Sequence, residues 1–113
     1  MDKLTKYKSI VRAIVQDIGN LTPPEEKVET LFIMDDNGGH YILFDVGWQN
    51  AHRIYLPWVH IDVKDSGRVW LQHDGTDLVI ADMLEEKGIP KSDIVLAFQA
   101  PHRRAMIEEY AVN

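Results

Sequence analysis

The side chains with the most chemical reach lie in one stretch of the chain. His60 and Asp62 stand two positions apart, and so do Gln72 and Asp74 further on. On β-strands this spacing puts the members of each pair on one face. A histidine beside a carboxylate is half of an acid–base or metal site, because the carboxylate orients the ring. His60, Asp62 and Asp74 around a metal would suit a hydrolase or nuclease. The rest of a catalytic constellation is missing. The chain has no cysteine, and it lacks a phosphate loop, zinc spacing, dinucleotide glycine pattern or nucleophile elbow. The other use of these residues is a hydrogen-bonded patch that sets strand register or meets a partner. On the residues alone, no catalytic group, metal or cofactor is assigned.

The three tryptophans, Trp48, Trp58 and Trp70, belong to the same stretch. A row of indoles can stack single-stranded nucleic acid, provided that cations line the groove. Here Arg53, Lys64 and Arg68 compete with Asp45, Asp62, Asp65 and Asp74. Packing in a core or protein interface is the better use of these rings, with Arg53 as an anchor or a solvated strand end. His52 and His73 read as surface residues.

Two strands must position this set. Arg53 to Lys64 and Arg68 to Asp74 are rich in β-branched and aromatic residues, and Asp65-Ser66-Gly67 joins them as a three-residue loop with Gly67 at positive φ. That loop pairs Lys64 with Arg68, Asp62 with Trp70, His60 with Gln72 and Trp58 with Asp74. Val59, Ile61, Val63, Val69 and Leu71 then form an aliphatic core face. Trp58, His60, Asp62, Trp70, Gln72 and Asp74 form the opposite, polar-aromatic face. A two-residue loop would mix the two sets.

Elsewhere, Leu4, Tyr7, Val11, Ile14 and Ile18, widened by Ile10 and Val15, predict a helix from about Asp2 to Ile18. Gly19-Asn20 should stop it. Lys3, Lys6, Lys8 and Arg12 read as a solvated face rather than a phosphate-contacting patch. Leu21-Thr22-Pro23-Pro24 is a linker. Val28 to Asp35 and His40 to Val46 are strands, joined by a type I′ turn at Asn37-Gly38. Leu31 and Ile33 then share a face with Ile42, Phe44 and Val46, and Phe32 and Met34 share the other with Tyr41, Leu43 and Asp45. Both faces are apolar, so helices cover both or a partner meets one. Gly47-Trp48 reads as a bend that opens the connection to the next strand. Asp74 or Thr76 can cap a helix that runs to about Lys87 and buries Leu78, Ala81, Leu84, Val79 and Met83. Gly88 and Pro90 end it. Ile94 to Phe98 reads as a short fifth strand, and Pro101 opens a last helix to about Tyr110. The class is α+β: N-terminal helix, four-stranded antiparallel meander, second helix, short fifth strand and C-terminal tail.

At 113 residues one domain is expected. A net charge of −6 argues against broad DNA binding, which needs a cationic surface. No apolar run approaches a membrane span. Absence of cysteine and of a signal-like N-terminus fits a cytoplasmic protein.

Several of these segments together carry a resemblance. They are Met1-Asp2-Lys3-Leu4-Thr5-Lys6-Tyr7; Val46-Gly47-Trp48 with Arg53; His60-Ile61-Asp62-Val63-Lys64; Val69-Trp70-Leu71-Gln72-His73-Asp74-Gly75-Thr76; Ile80-Ala81; Gly88 to Phe98; Pro101 with Arg104; and Tyr110-Ala111-Val112. In that order the chain resembles the XisI family, the fdxN-element excision controlling factors found mainly in cyanobacteria. The resemblance implies an accessory role in programmed DNA excision during heterocyst differentiation, beside a recombinase and a companion of the XisH type. It brings no catalytic residues. The expected protein is therefore a non-enzymatic regulator working through protein contacts, with a XisH-like companion or as a homo-oligomer. Its expected interaction face is Trp48, Arg53, Trp58, His60, Asp62, Trp70, Gln72 and Asp74. A DNA-binding accessory factor is the alternative. It would need Lys3, Lys6, Lys8 and Arg12, or His102, Arg103 and Arg104, to gather in space.

Overall fold

The computed structural model describes residues 2–21 and 23–113. Met1 of the family-like opening and Thr22 of the linker lie outside the described residues. Helix α1 spans Lys3–Leu21. Four strands follow, β1 Val28–Asp35, β2 His40–Gln49, β3 His52–Val63 and β4 Val69–Asp74, then helix α2 Ile80–Glu86. A 3-10 turn at Lys91–Asp93 leads into β5 Ile94–Leu96, and helix α3 spans Pro101–Arg104. The five strands lie side by side in chain order. β1 to β4 pair antiparallel and β5 joins β4 in parallel. The class is α+β, as the sequence predicts. No described helix is long and apolar enough to cross a membrane.

α1 packs on one side of the sheet, against β1, β2, β3 and α2. Its buried residues Tyr7, Val11, Ile14, Val15 and Ile18 are those of the expected apolar stripe. They meet Tyr41, Leu43, Val59, Ile61, Val63, Val69 and Leu71 in one core. The helix runs three residues beyond the expected stop at Ile18. Gly19 is not a terminator: it is buried, and a Cβ there would meet the Phe32 ring at 2.3 Å. Glycine serves close packing of helix on sheet.

Other boundaries shift for local reasons. The β1–β2 register has the expected pairs, Ile33 with Ile42 and Leu31 with Phe44, but the turn is not type I′. Positive φ falls on Gly39, at 74°. The Asp35 carboxylate accepts from the amides of Asn37 and Gly38, each at 3.0 Å, so an aspartate side chain organises a longer loop that keeps the register. β2 continues through Gly47-Trp48 to Gln49, and the chain reverses at Asn50, whose φ is 56°. Gly47 lets another backbone close in: a Cβ would lie 2.1 Å from the Lys27 carbonyl oxygen. α2 is shorter than expected. Ile80, Ala81 and Leu84 are buried, while Leu78 and Val79 lie exposed in the turn before it. α3 ends at Arg104 rather than near Tyr110, and the tail instead runs beside β5, with the Ala111 amide donating to the Ile94 carbonyl.

Candidate functional site

Two β-bulges decide which side chains reach the uncovered face of the sheet. Leu43 pairs with Val59, but Phe44 pairs with Pro57, so Trp58 is an extra residue in β3. Ile61 pairs with Leu71, but His60 pairs with His73, so Gln72 is an extra residue in β4. Each bulge resets the alternation of faces. The first keeps Val59, Ile61 and Val63 in the core and turns His60 and Asp62 outward. The second replaces the expected pairing of His60 with Gln72 and of Trp58 with Asp74.

The expected interaction face is therefore divided. Trp48, Arg53, His60, Asp62, Trp70 and Gln72 belong to the uncovered face. Trp58 and Asp74 do not. The Trp58 indole packs against the core, lines a surface pocket together with Ile18 and Leu21, and donates to the Asp45 carboxylate at 2.9 Å. Asp74 pairs with Val59 on the core side. Its carboxylate accepts from the Thr76 hydroxyl at 2.6 Å and from the Ile80 amide at 3.0 Å, at the start of α2. Asp74 thus serves the helix, as one sequence reading holds, and is not a third ligand for His60 and Asp62.

The third side chain is His40, which the sequence reading did not single out. His40 lies directly across from Asp62 on β2. Its Nδ1 is 2.7 Å from Asp62 Oδ1, and His60 Nε2 approaches the same oxygen at 2.8 Å. Gln72 Nε2 donates to Oδ2 at 3.1 Å. Asp62 is 5% exposed. Burial pushes its carboxyl up, but the bonds from His40, His60 and Gln72 together hold it below the usual carboxylate range.

Beside this cluster the uncovered face is apolar and aromatic. Phe44 and Tyr55 meet edge to face, with centroids 4.7 Å apart. The Arg53 guanidinium lies 5.5 Å from both the Trp48 and the Tyr55 rings, which orders it between two aromatics. Ile33, Trp48 and Tyr55 are exposed, Tyr55 at 65%. Trp70 is flanked by Lys64 and by Arg104 of the tail, at 5.5 and 5.4 Å, so α3 partly shields this end. The three indoles form no continuous stacking row.

Comparison with known proteins agrees with this architecture. The family model described as XisI protein matches residues 1–112. The chain belongs to the XisI family. Among solved structures, a XisI-like protein from Anabaena variabilis ATCC 29413 is 37% identical, with a TM-score of 0.92 over 97% of this chain and 99% of that one. The fdxN element excision controlling factor XisI from the same organism is 28% identical, with a TM-score of 0.88 over 99% and 100%. Among curated proteins, none matches. The XisI membership inferred from the residue string is thus borne out over nearly the whole chain.

Within this XisI-family chain, sequence spacing finds His60, Asp62, Trp70 and Gln72 because they are near neighbours or lie across one short hairpin. It misses His40, 22 residues from Asp62, and Tyr55, whose exposure follows from the Trp58 bulge. Of the cations that the DNA-binding alternative would need, three have other partners. Lys3 pairs with Asp93 at 3.0 Å, Arg12 pairs with Asp36 at 3.0 Å, and Arg104 stacks on Trp70.

Proposed function

We propose that this chain is a non-enzymatic factor that controls DNA excision, a reading supported by its likeness to a protein described as an fdxN element excision controlling factor, and that it acts by docking a XisH-like companion on the uncovered sheet face. The observation that carries the reading is the exposed group of Ile33, Trp48 and Tyr55 with Arg53 ordered between the two aromatic rings. Tryptophan, tyrosine and arginine dominate the energetics of protein interfaces, and an aromatic group left together in water is best satisfied by a partner. A second copy of the chain is the competing occupant.

The test is joint expression with a XisH-like companion, with the mass of each species read by light scattering. A mixed complex is expected. Trp48→Ala and Tyr55→Asp should each weaken it at least about tenfold, as loss of a hot-spot residue does. Leu21→Asp, at an exposed position on the helix side, should leave it intact. A mixed complex indifferent to Trp48→Ala and Tyr55→Asp would rule out this face. A homodimer broken by the same variants would give the face to self-association instead.

A further inference from the structure

We propose that His40, His60 and Asp62 form a binding site for a divalent transition-metal ion of the zinc type, open to solvent at its remaining coordination position. Among the described residues, these are the group of histidine and acidic side chains whose ligand atoms converge, all lying within 4.8 Å of one another. Neutral imidazole nitrogens and one carboxylate oxygen are a donor set that suits zinc and its neighbours, and no thiolate is present to favour a softer ion. With metal–ligand distances near 2.1 Å, adjacent ligands of a tetrahedral ion sit about 3.4 Å apart. The contacts of 2.7 and 2.8 Å between the imidazoles and Asp62 Oδ1 would open by about 0.6–0.7 Å to admit one, with the ion replacing the protons that the imidazoles share with the carboxylate.

The surroundings are those of a built site. Gln72 Nε2 holds Asp62 Oδ2, which leaves Oδ1 directed at the two imidazoles. Hydrogen bonds of this kind orient ligating carboxylates. The charge balance points the same way. The other buried carboxylate, Asp93, is met by Lys3 and Arg68, whereas the polar partners of Asp62 are two imidazoles and an amide. A metal cation would give Asp62 a fixed positive charge, as Lys3 and Arg68 give Asp93. The His40 side chain is 51% exposed, so the site faces water on the uncovered side of the sheet. The inference does not depend on the docking reading.

The test uses the full chain, stripped with chelator and titrated with zinc chloride by calorimetry, with cobalt(II) as a spectroscopic probe. One zinc ion per chain is expected, with a visible cobalt d–d band and a rise in melting temperature. His40→Ala and His60→Ala should each weaken zinc binding at least about a hundredfold and abolish the thermal shift, and Gln72→Ala should weaken it about tenfold. His102→Ala should bind as the parent does. His40 is half exposed, so its variant should fold, and circular dichroism checks that it does. Absence of zinc binding by the parent at tens of micromolar, or binding undiminished in both histidine variants, would overturn the site.

Discussion

Asp93 and Asp62 are both buried carboxylates, held in different ways. Asp93 accepts from the Tyr7 hydroxyl, from Lys3 at 3.0 Å and from Arg68 at 2.8 Å. It thereby joins α1, the β3–β4 hairpin and the turn before β5. Burial pushes its carboxyl up, but the bonds from Tyr7 and Lys3 and the charges of Lys3 and Arg68 leave it below the ordinary value. Burial of its hydroxyl and the same bond push Tyr7 up to about 12. For an acid whose folded value is depressed, the stabilisation is complete above the unfolded value of about 4 and is lost as pH falls through the folded one. Asp93→Asn should cost about 1–3 kcal/mol at pH 7, with the difference from the parent shrinking as urea melts move toward pH 3. A difference constant with pH would mean that the negative charge of Asp93 is not what holds these elements. No spacing rule discloses this contact, since Tyr7 and Asp93 are 86 residues apart. His40 escaped for the same reason: its partner is set by register, and the register depends on a bulge.

At the level of elements, hydrophobic periodicity located the strands and α1 because their buried faces are strongly patterned. It could not locate the bulges, since one extra residue leaves the composition of a strand unchanged while reversing its faces. The Gln72 bulge sends Asp74 inward to α2, where its carboxylate holds the Thr76 hydroxyl and the Ile80 amide. The N-cap of α2 is Val79, whose side chain cannot cap, so Asp74 takes the first free amide of the helix from outside it, a bond of the capping kind that contributes typically about 1 kcal/mol. Asp74→Ala should therefore lower stability by about 0.5–2 kcal/mol in thermal or urea melts, Asp74→Asn should lose less, and neither should change zinc affinity. Loss of zinc binding in Asp74→Ala as severe as in His40→Ala, with the fold intact, would return Asp74 to the ligand set and contradict the capping role.

For the whole molecule, the two apolar faces of β1 and β2 left two options in the sequence, helices on both sides or a partner on one. α1 and α2 fall on one side because α1 is long enough to cross three strands while α2 is short and packs beside it, and α3 reaches only the Trp70 end of the other face. That asymmetry leaves the second face for contact, and its chemistry bears on which macromolecule fits. DNA binding draws on released counterions, so it needs cations gathered on one surface. Here Lys3 and Arg12 are neutralised by Asp93 and Asp36, Arg104 lies on an indole, and the chain as a whole carries −6. Arg53 is the cation among the exposed aromatics, and one phosphate contact supplies little of the affinity of a DNA-binding surface. The isolated chain should therefore leave duplex DNA unshifted in gels even at low salt, and Tyr55→Asp should not alter that result. Binding that weakens steeply with salt, and that is lost when Lys6 and Lys8 are replaced by glutamine, would reverse the assignment. The proposed excision role would then rest on α1 contacting DNA directly, and the aromatic face would be left to hold two copies of the chain together.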